Sequence, residues 1–136
     1  MTYLTILRDM GVYNTFNMTN ISSLEQLASL MQTIGHPARL QILLAIGENE
    51  TCVCHLEAML TLRQATLSQH LMALRKAGLV ADRREGRFIH YRLIQPALLD
   101  LIRQLARLQG VPLPELAPSG DCHCPNCGKQ RGESCD

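Results

Sequence analysis

Near Gly78 the apolar residues of this chain stop recurring at helical spacing and begin to alternate, and that change of period constrains the fold more than any other feature. Upstream, QATLSQHLMALRKAG sets Leu67, Leu71 and Leu74 on one helical stripe, with Gly78 suited to end the helix. Downstream, VADRR, a turn at Glu85-Gly86 and RFIHYRL read as a β-hairpin in which Ile89, Tyr91 and Leu93 alternate with Phe88, His90 and Arg92. The other side of the helix offers Gln64, Thr66, Ser68, Gln69 and His70, all able to donate or accept hydrogen bonds. The hairpin carries Arg83, Arg84 and Arg87 around its tip.

Other helical segments flank this pair. Ser22 with Glu25 fits a capping box ahead of Leu24, Leu27, Ala28, Met31 and Ile34, and Gly35 ends that helix. Pro37 stands at a first helical position in HPARLQILLAIG, which Gly47 closes. Thr51 is expected to cap a short helix, CVCHLEAML, and TLR breaks the chain before Gln64. After the hairpin, Pro96 opens PALLDLIRQLARLQG, where Leu98, Leu101, Ile102, Leu105 and Leu108 share one side and Leu99 widens it. Three prolines mark VPLPELAPSG as a linker. The expected organisation is an N-terminal segment over residues 1–20, one domain over 21–110, a linker over 111–121 and a cysteine-rich tail over 122–136.

Two short helices with a tight break, followed by a basic hairpin, describe a winged helix-turn-helix: a mainly α fold with a β-hairpin wing. The major groove of DNA admits one helix whose polar side chains pair with base edges, and glutamine suits adenine. The preceding helix crosses the backbone and holds the reader in place. Arginines at a hairpin tip suit phosphates or an adjacent minor groove. Charge agrees: the formal net charge is only +1, yet from Arg63 to Arg92 seven basic residues face two acidic ones, a local +5. Double-stranded operator DNA is therefore the expected partner.

Hydrophobic residues at 46% and charged residues at 18% are ordinary for a soluble globular chain, and no apolar run approaches the ~20 residues that span a bilayer. The first residues carry neither a basic leader nor a continuous apolar segment, so a cytoplasmic location without membrane contact is expected. No acid/base pair, activated nucleophile or phosphate loop is visible, which argues against an enzyme and against a small organic substrate.

Six cysteines in a reducing compartment point to metal or redox chemistry before structural disulfides. Cys52 and Cys54 fall in the expected first turn of a short helix, where the helix N-terminus favours the thiolate. Soft sulfur donors select As(III), Sb(III), Cd2+, Pb2+ or Zn2+ over hard ions. Residues two apart do not face one another on a regular helix, so joint chelation needs a distorted first turn.

The order LMQTIGHPARLQILLAI, TCVCHL, LRQATLSQHLMALRKAGLV and RREGRFIHYRL resembles the ArsR/SmtB metal-sensing repressors from about Leu27 to Leu105. The resemblance implies a homodimer joined by its first and last helices, and a metal-free repressor that leaves its operator when an ion binds. It also implies that the CVC segment is the thiolate sensing site. Three departures stand out. Arg63 replaces the serine that usually caps the reading helix, and Glu57 replaces the third cysteine of the arsenic-type pattern. Residues 1–51 hold none of the cysteines that the cadmium/lead type would require. The family's second site, on the last helix, is lost to Gln95, Ala97, Leu108 and Val111.

Two thiolates do not complete a site for these ions, since arsenic wants three and tetrahedral zinc or cadmium four. Cys122, Cys124, Cys127 and Cys135 are four further thiols on a tether. The preferred arrangement joins Cys52 and Cys54 to Cys122 and Cys124 across the dimer. A separate structural zinc on the tail, for which CPNC has the spacing, and a tail that only scavenges ions stay open beside it. His123 is a further tail candidate and His55 a lesser one near the pair, whereas His36 and His90 read as structural. The competing mechanism is a thiol redox switch, in which Cys52/Cys54 or Cys124/Cys127 oxidise while the tail keeps a structural zinc.

Overall fold

The computed structural model describes residues 18–116, and the surroundings of side chains from Ser22 onward. The tail cysteines and His123 lie outside the described residues, as does most of the expected 1–20 segment. The chain divides between Gln32 and Thr33 into two units. The described part of the first lies wholly within helix α1 (Met18–Ile34). Its first residue is Met18, so Ser22 and Glu25 sit inside the helix and the expected capping box at Ser22 does not form. Leu24, Leu27 and Met31 recur along one side of α1 and all three are exposed.

The second unit holds α2 (Pro37–Ile46), β1 (Thr51–Cys52), α3 (Val53–Leu60), α4 (Gln64–Lys76), β2 (Val80–Glu85), β3 (Phe88–Leu93) and α5 (Ala97–Gln109). Pro37 opens α2 because its missing N–H costs nothing there, and His36 caps it, Nδ1 accepting from the Ala38 amide at 3.1 Å. Helix α4 ends as its sequence predicts: Gly78 takes φ +74°, and the Leu79 amide returns to the Leu74 carbonyl at 3.0 Å. Arg75 and Lys76 lie in the last turn, where cations favour the helix dipole.

The core is assembled from one stripe of each element: Ile42, Leu43 and Ile46; Leu56 and Leu60; Leu67, Leu71 and Leu74; Val80; Tyr91 and Leu93; Leu99 and Ile102. Each such side chain contributes roughly 1.5–3 kcal/mol by leaving water. Helix α5 differs from its sequence reading. Leu99 and Ile102 enter this core, whereas Leu101, Leu105 and Leu108 form a second, exposed apolar row. The helix is apolar on two sides.

The sheet has three antiparallel strands in the order β1-β3-β2, one more than the hairpin read from the sequence. Glu85 pairs with Phe88, so the loop is Gly86-Arg87 rather than Glu85-Gly86. Gly86, at φ +59°, takes the first loop position, where a two-residue loop of this kind requires a positive φ. On the other edge of β3, Thr51 pairs with Tyr91 and Cys52 with His90. Thr51 is thus a strand residue and not the expected cap of α3; its hydroxyl donates to the Ile46 carbonyl at 3.3 Å.

Candidate nucleic-acid interface and thiol site

Helices α3 and α4 are joined by Thr61, Leu62 and Arg63, and the turn is closed by Thr61 in the left-handed region at φ 49°. Arg63 takes the N-cap position of α4 without any side-chain cap. Leu67, Leu71 and Leu74 anchor α4 to the core, which turns Gln64, Ala65, Ser68, Gln69, Met72, Arg75 and Lys76 outward. Gln64, Ser68 and Gln69 therefore share the exposed face, while Thr66 is half-buried at its border. His70 is turned toward α2: its ring lies 4.6 Å from that of His36, and Nδ1 accepts from Arg39 Nε at 3.3 Å. Burial first, then the nearby His36 and Arg39, hold its imidazole below the ordinary value. Its Nδ1 acceptor is thus engaged within the protein. Met72, 55% exposed on the same face, was missed, although its spacing from Ser68 and Gln69 gives it away.

The wing arginines separate into different roles. Arg83 donates from Nε to both Glu50 oxygens at 3.1 and 3.2 Å, makes a further close contact from its terminal nitrogen to Glu50, and reaches Glu85 at 3.3 Å. Two carboxylates on one guanidinium leave this group with net negative charge. Glu50 is held below the usual carboxylate range chiefly by the hydrogen bond from Arg83. Arg83 is thus held by Glu50 and Glu85 within the protein. Arg75 is also matched, to Asp82 at 3.0 Å. Arg63, Lys76 and Arg84 are exposed and form no ion pair among the described residues. Arg87 at the tip lies over the Phe88 ring, 5.2 Å from its centroid.

Cys52 and Cys54 meet because the helix starts one residue later than the sequence suggests. Cys52 is extended, at φ −70° and ψ 145°, and caps α3 from outside. That break in helical geometry lets the sulfurs join as a disulfide, with Cα atoms 5.4 Å apart. Cys52 is 2% exposed, and Cys54 and Phe88 pack on it. Residues directly opposed in a ladder share a face of the sheet. Cys52, His90 and Arg83 therefore line up across β1, β3 and β2 on the face away from Tyr91. His90 is fully buried there, with Nε2 3.5 Å from Glu85. His55 is buried on α3, and Glu57, three residues past Cys54, is half-buried. Among the described residues no group of three or more His, Cys, Asp or Glu side chains gathers to hold an ion, so the pair supplies two donors and no third.

A family model described as bacterial regulatory protein, arsR family, matches residues 36–82, the stretch from the cap of α2 into the wing. The chain is 45% identical over 80 residues to the biofilm growth-associated repressor of Agrobacterium fabrum, covering 59% of this chain and 68% of that protein. This chain belongs to the ArsR family. Within it, the arsenical resistance operon repressor of Escherichia coli is 42% identical over 65 residues, covering 47% of this chain and 56% of that one. The crystal structure of the transcriptional repressor BigR from Xylella fastidiosa superposes with a TM-score of 0.59 at 32% identity, covering 68% of this chain and 96% of that one. As an ArsR-family chain it is a winged-helix transcriptional regulator. Among the described residues no helix is long and apolar enough to cross a membrane.

Proposed function

We propose that this ArsR-family regulator is a cytoplasmic, homodimeric repressor of operator DNA whose affinity is set by the Cys52/Cys54 pair, a thiophilic ion releasing it. The observation that carries this reading is the position of Cys52. Standing outside α3, it brings two sulfurs together at the entrance to the helix-turn-helix and on the strand beside the wing. Gln64, Ser68 and Gln69 present hydrogen-bonding groups to base edges, and Arg63, Arg84 and Arg87 present charge to phosphates. Two rows support the dimer: Leu101, Leu105 and Leu108 of α5, and Leu24, Leu27 and Met31 of α1. An arsenic-type ion would take both thiolates and needs one more donor, which Cys122 or Cys124 would supply. The name of the Escherichia coli relative, an arsenical resistance repressor, supports that class of ion. Operator affinity is expected to survive in Cys52→Ser and Cys54→Ser while release by arsenite or Cd2+ is lost. Release of both variants at the ion concentration that frees the wild type refutes the reading.

A second reading is favoured by the disulfide itself, since two sulfurs able to bond also make a two-electron switch. With hydrogen peroxide as oxidant, both S–H bonds and the O–O bond break, one S–S bond and two O–H bonds form, and two waters leave. Loss of operator binding on peroxide treatment, restored by a dithiol reductant and insensitive to arsenite and Cd2+ under reduction, would select this switch over the ion.

A further inference from the structure

The Glu50–Arg83 ion pair joins two elements that share no ladder. β1 and β2 flank opposite edges of β3, so a residue just before β1 and a residue within β2 meet only by reaching over β3. Two strand spacings amount to roughly 9–10 Å, a gap that one long arginine and one glutamate together span. Beneath that span lies His90, directly opposed to Arg83 on one side and to Cys52 on the other, and fully buried. Glu85 reinforces the crossing from β2, contacting both Arg83 and the His90 ring.

β1 itself is weakly anchored by backbone, being two residues long with two paired positions. Its second residue is Cys52, whose backbone sets the approach to Cys54. Any bond or ion that draws the two sulfurs together acts on the dihedrals of Cys52. It therefore acts on the carboxylate two residues upstream.

We propose that Glu50 is the positioning residue through which the state of the Cys52/Cys54 pair reaches the wing, its carboxylate tying β1 to Arg83 over His90. This inference rests on the thiol-response reading above and names its regulatory connection. In this structure the pair is bridged and Glu50 holds Arg83, and with it β2, in an orientation that keeps Arg84 and the tip from DNA. When the pair is free, β1 shifts against β3, the tie to Glu50 relaxes while Glu85 still faces Arg83, and the wing takes its DNA-competent orientation. Arg83 transmits; Arg84 and Arg87 contact.

The test is the ratio of operator dissociation constants with and without effector, measured by fluorescence anisotropy on the full chain. Arsenite, Cd2+ and hydrogen peroxide serve as separate effectors. The ratio is internal to each variant, so a general loss of stability does not imitate a loss of coupling. The wild type is expected to show a ratio of about tenfold or more, within the range of allosteric couplings. Glu50→Gln is expected to bind operator in the reduced, effector-free state within about threefold of wild type, and to bring the ratio below about threefold. Thiol titration is expected to show the pair still bridged by effector. Glu50→Asp, which keeps the charge, should recover part of the ratio. In a cycle with Arg83→Gln, the double variant should lose no more coupling than either single variant. A Glu50→Gln chain that loads effector and keeps the full ratio overturns the coupling and leaves the thiol-response reading standing. A wild type that loads none of the three effectors and keeps its operator affinity removes that reading, and this coupling with it.

Discussion

Substituting Arg63→Ser should stabilise this protein. Arg63 occupies the N-cap of α4 with φ −64° and ψ 142°, and its carbonyl accepts the first helical hydrogen bond from Leu67 at 2.9 Å. The amides at the start of α4 have no carbonyl one turn earlier, and the arginine side chain offers no acceptor. A serine in that backbone conformation places Oγ against the Ala65 or Thr66 amide, and an N-cap of this kind contributes about 1 kcal/mol. Removing a cation from the positive end of the helix dipole adds roughly 0.3–1 kcal/mol at low salt. Together these give about 1–2 kcal/mol, or a rise in Tm of roughly 4–8 °C at matched protein concentration. Thermal unfolding followed by circular dichroism measures it. Arg63→Ala separates the parts, because it removes the charge without supplying a cap; its gain should be the smaller one and vanish in high salt. A melting temperature for Arg63→Ser that is unchanged or lower at both salt concentrations refutes the capping argument.

Three further outcomes follow from the geometry. Leu67→Ala, at a fully buried position, should cost about 2–5 kcal/mol in urea unfolding, whereas Met72→Ala on the exposed face of the same helix should stay within about 0.5 kcal/mol. The lowered pKa of His70 means that the fold prefers its neutral ring. Its contribution is complete above the ordinary imidazole value of about 6.5 and is lost as pH falls through the lower folded-state value. The stability advantage of wild type over His70→Gln should accordingly shrink as pH is lowered from about 7.5 to about 5, and a pH-independent difference would contradict this. In operator binding, Arg84→Ala should flatten the salt dependence by about one unit of slope, as expected for a lost phosphate contact. Arg83→Ala should leave the slope nearer to wild type, because that cation is already matched by Glu50 and Glu85. An equal loss of slope in both variants would return Arg83 to the phosphate face.

The parts of this fold that were legible in the sequence are those carried by repeated local signals. The Leu67, Leu71 and Leu74 stripe, Pro37 at the start of α2 and Gly78 at the end of α4 each act within a few residues of themselves. The period-two run after Gly78 placed β2 and β3 for the same reason. β1 has no such signal: two residues make no period, and Thr51 reads equally well as a cap until β3 is there to pair with it. The commitment of Arg83 to Glu50 joins positions 33 residues apart, and nothing near either residue announces it. The contacts of His70 with His36 and Arg39 likewise cross from α4 to the start of α2, and no local pattern on α4 announces them. The geometry of the cysteine pair was half-legible. The objection that residues two apart diverge on a helix was sound, and the structure answers it by ending the helix at Val53.

The most direct test of the central claim is release of the DNA immediately upstream of the protein's own gene. It is followed by fluorescence anisotropy on fully reduced protein without oxygen, with arsenite and Cd2+ in separate titrations. The account expects one of these ions to lower operator affinity by about tenfold or more, and Cys52→Ser and Cys54→Ser to abolish that response. Operator binding that neither ion disturbs, in a protein whose two thiols are shown to be free and reduced, would contradict it.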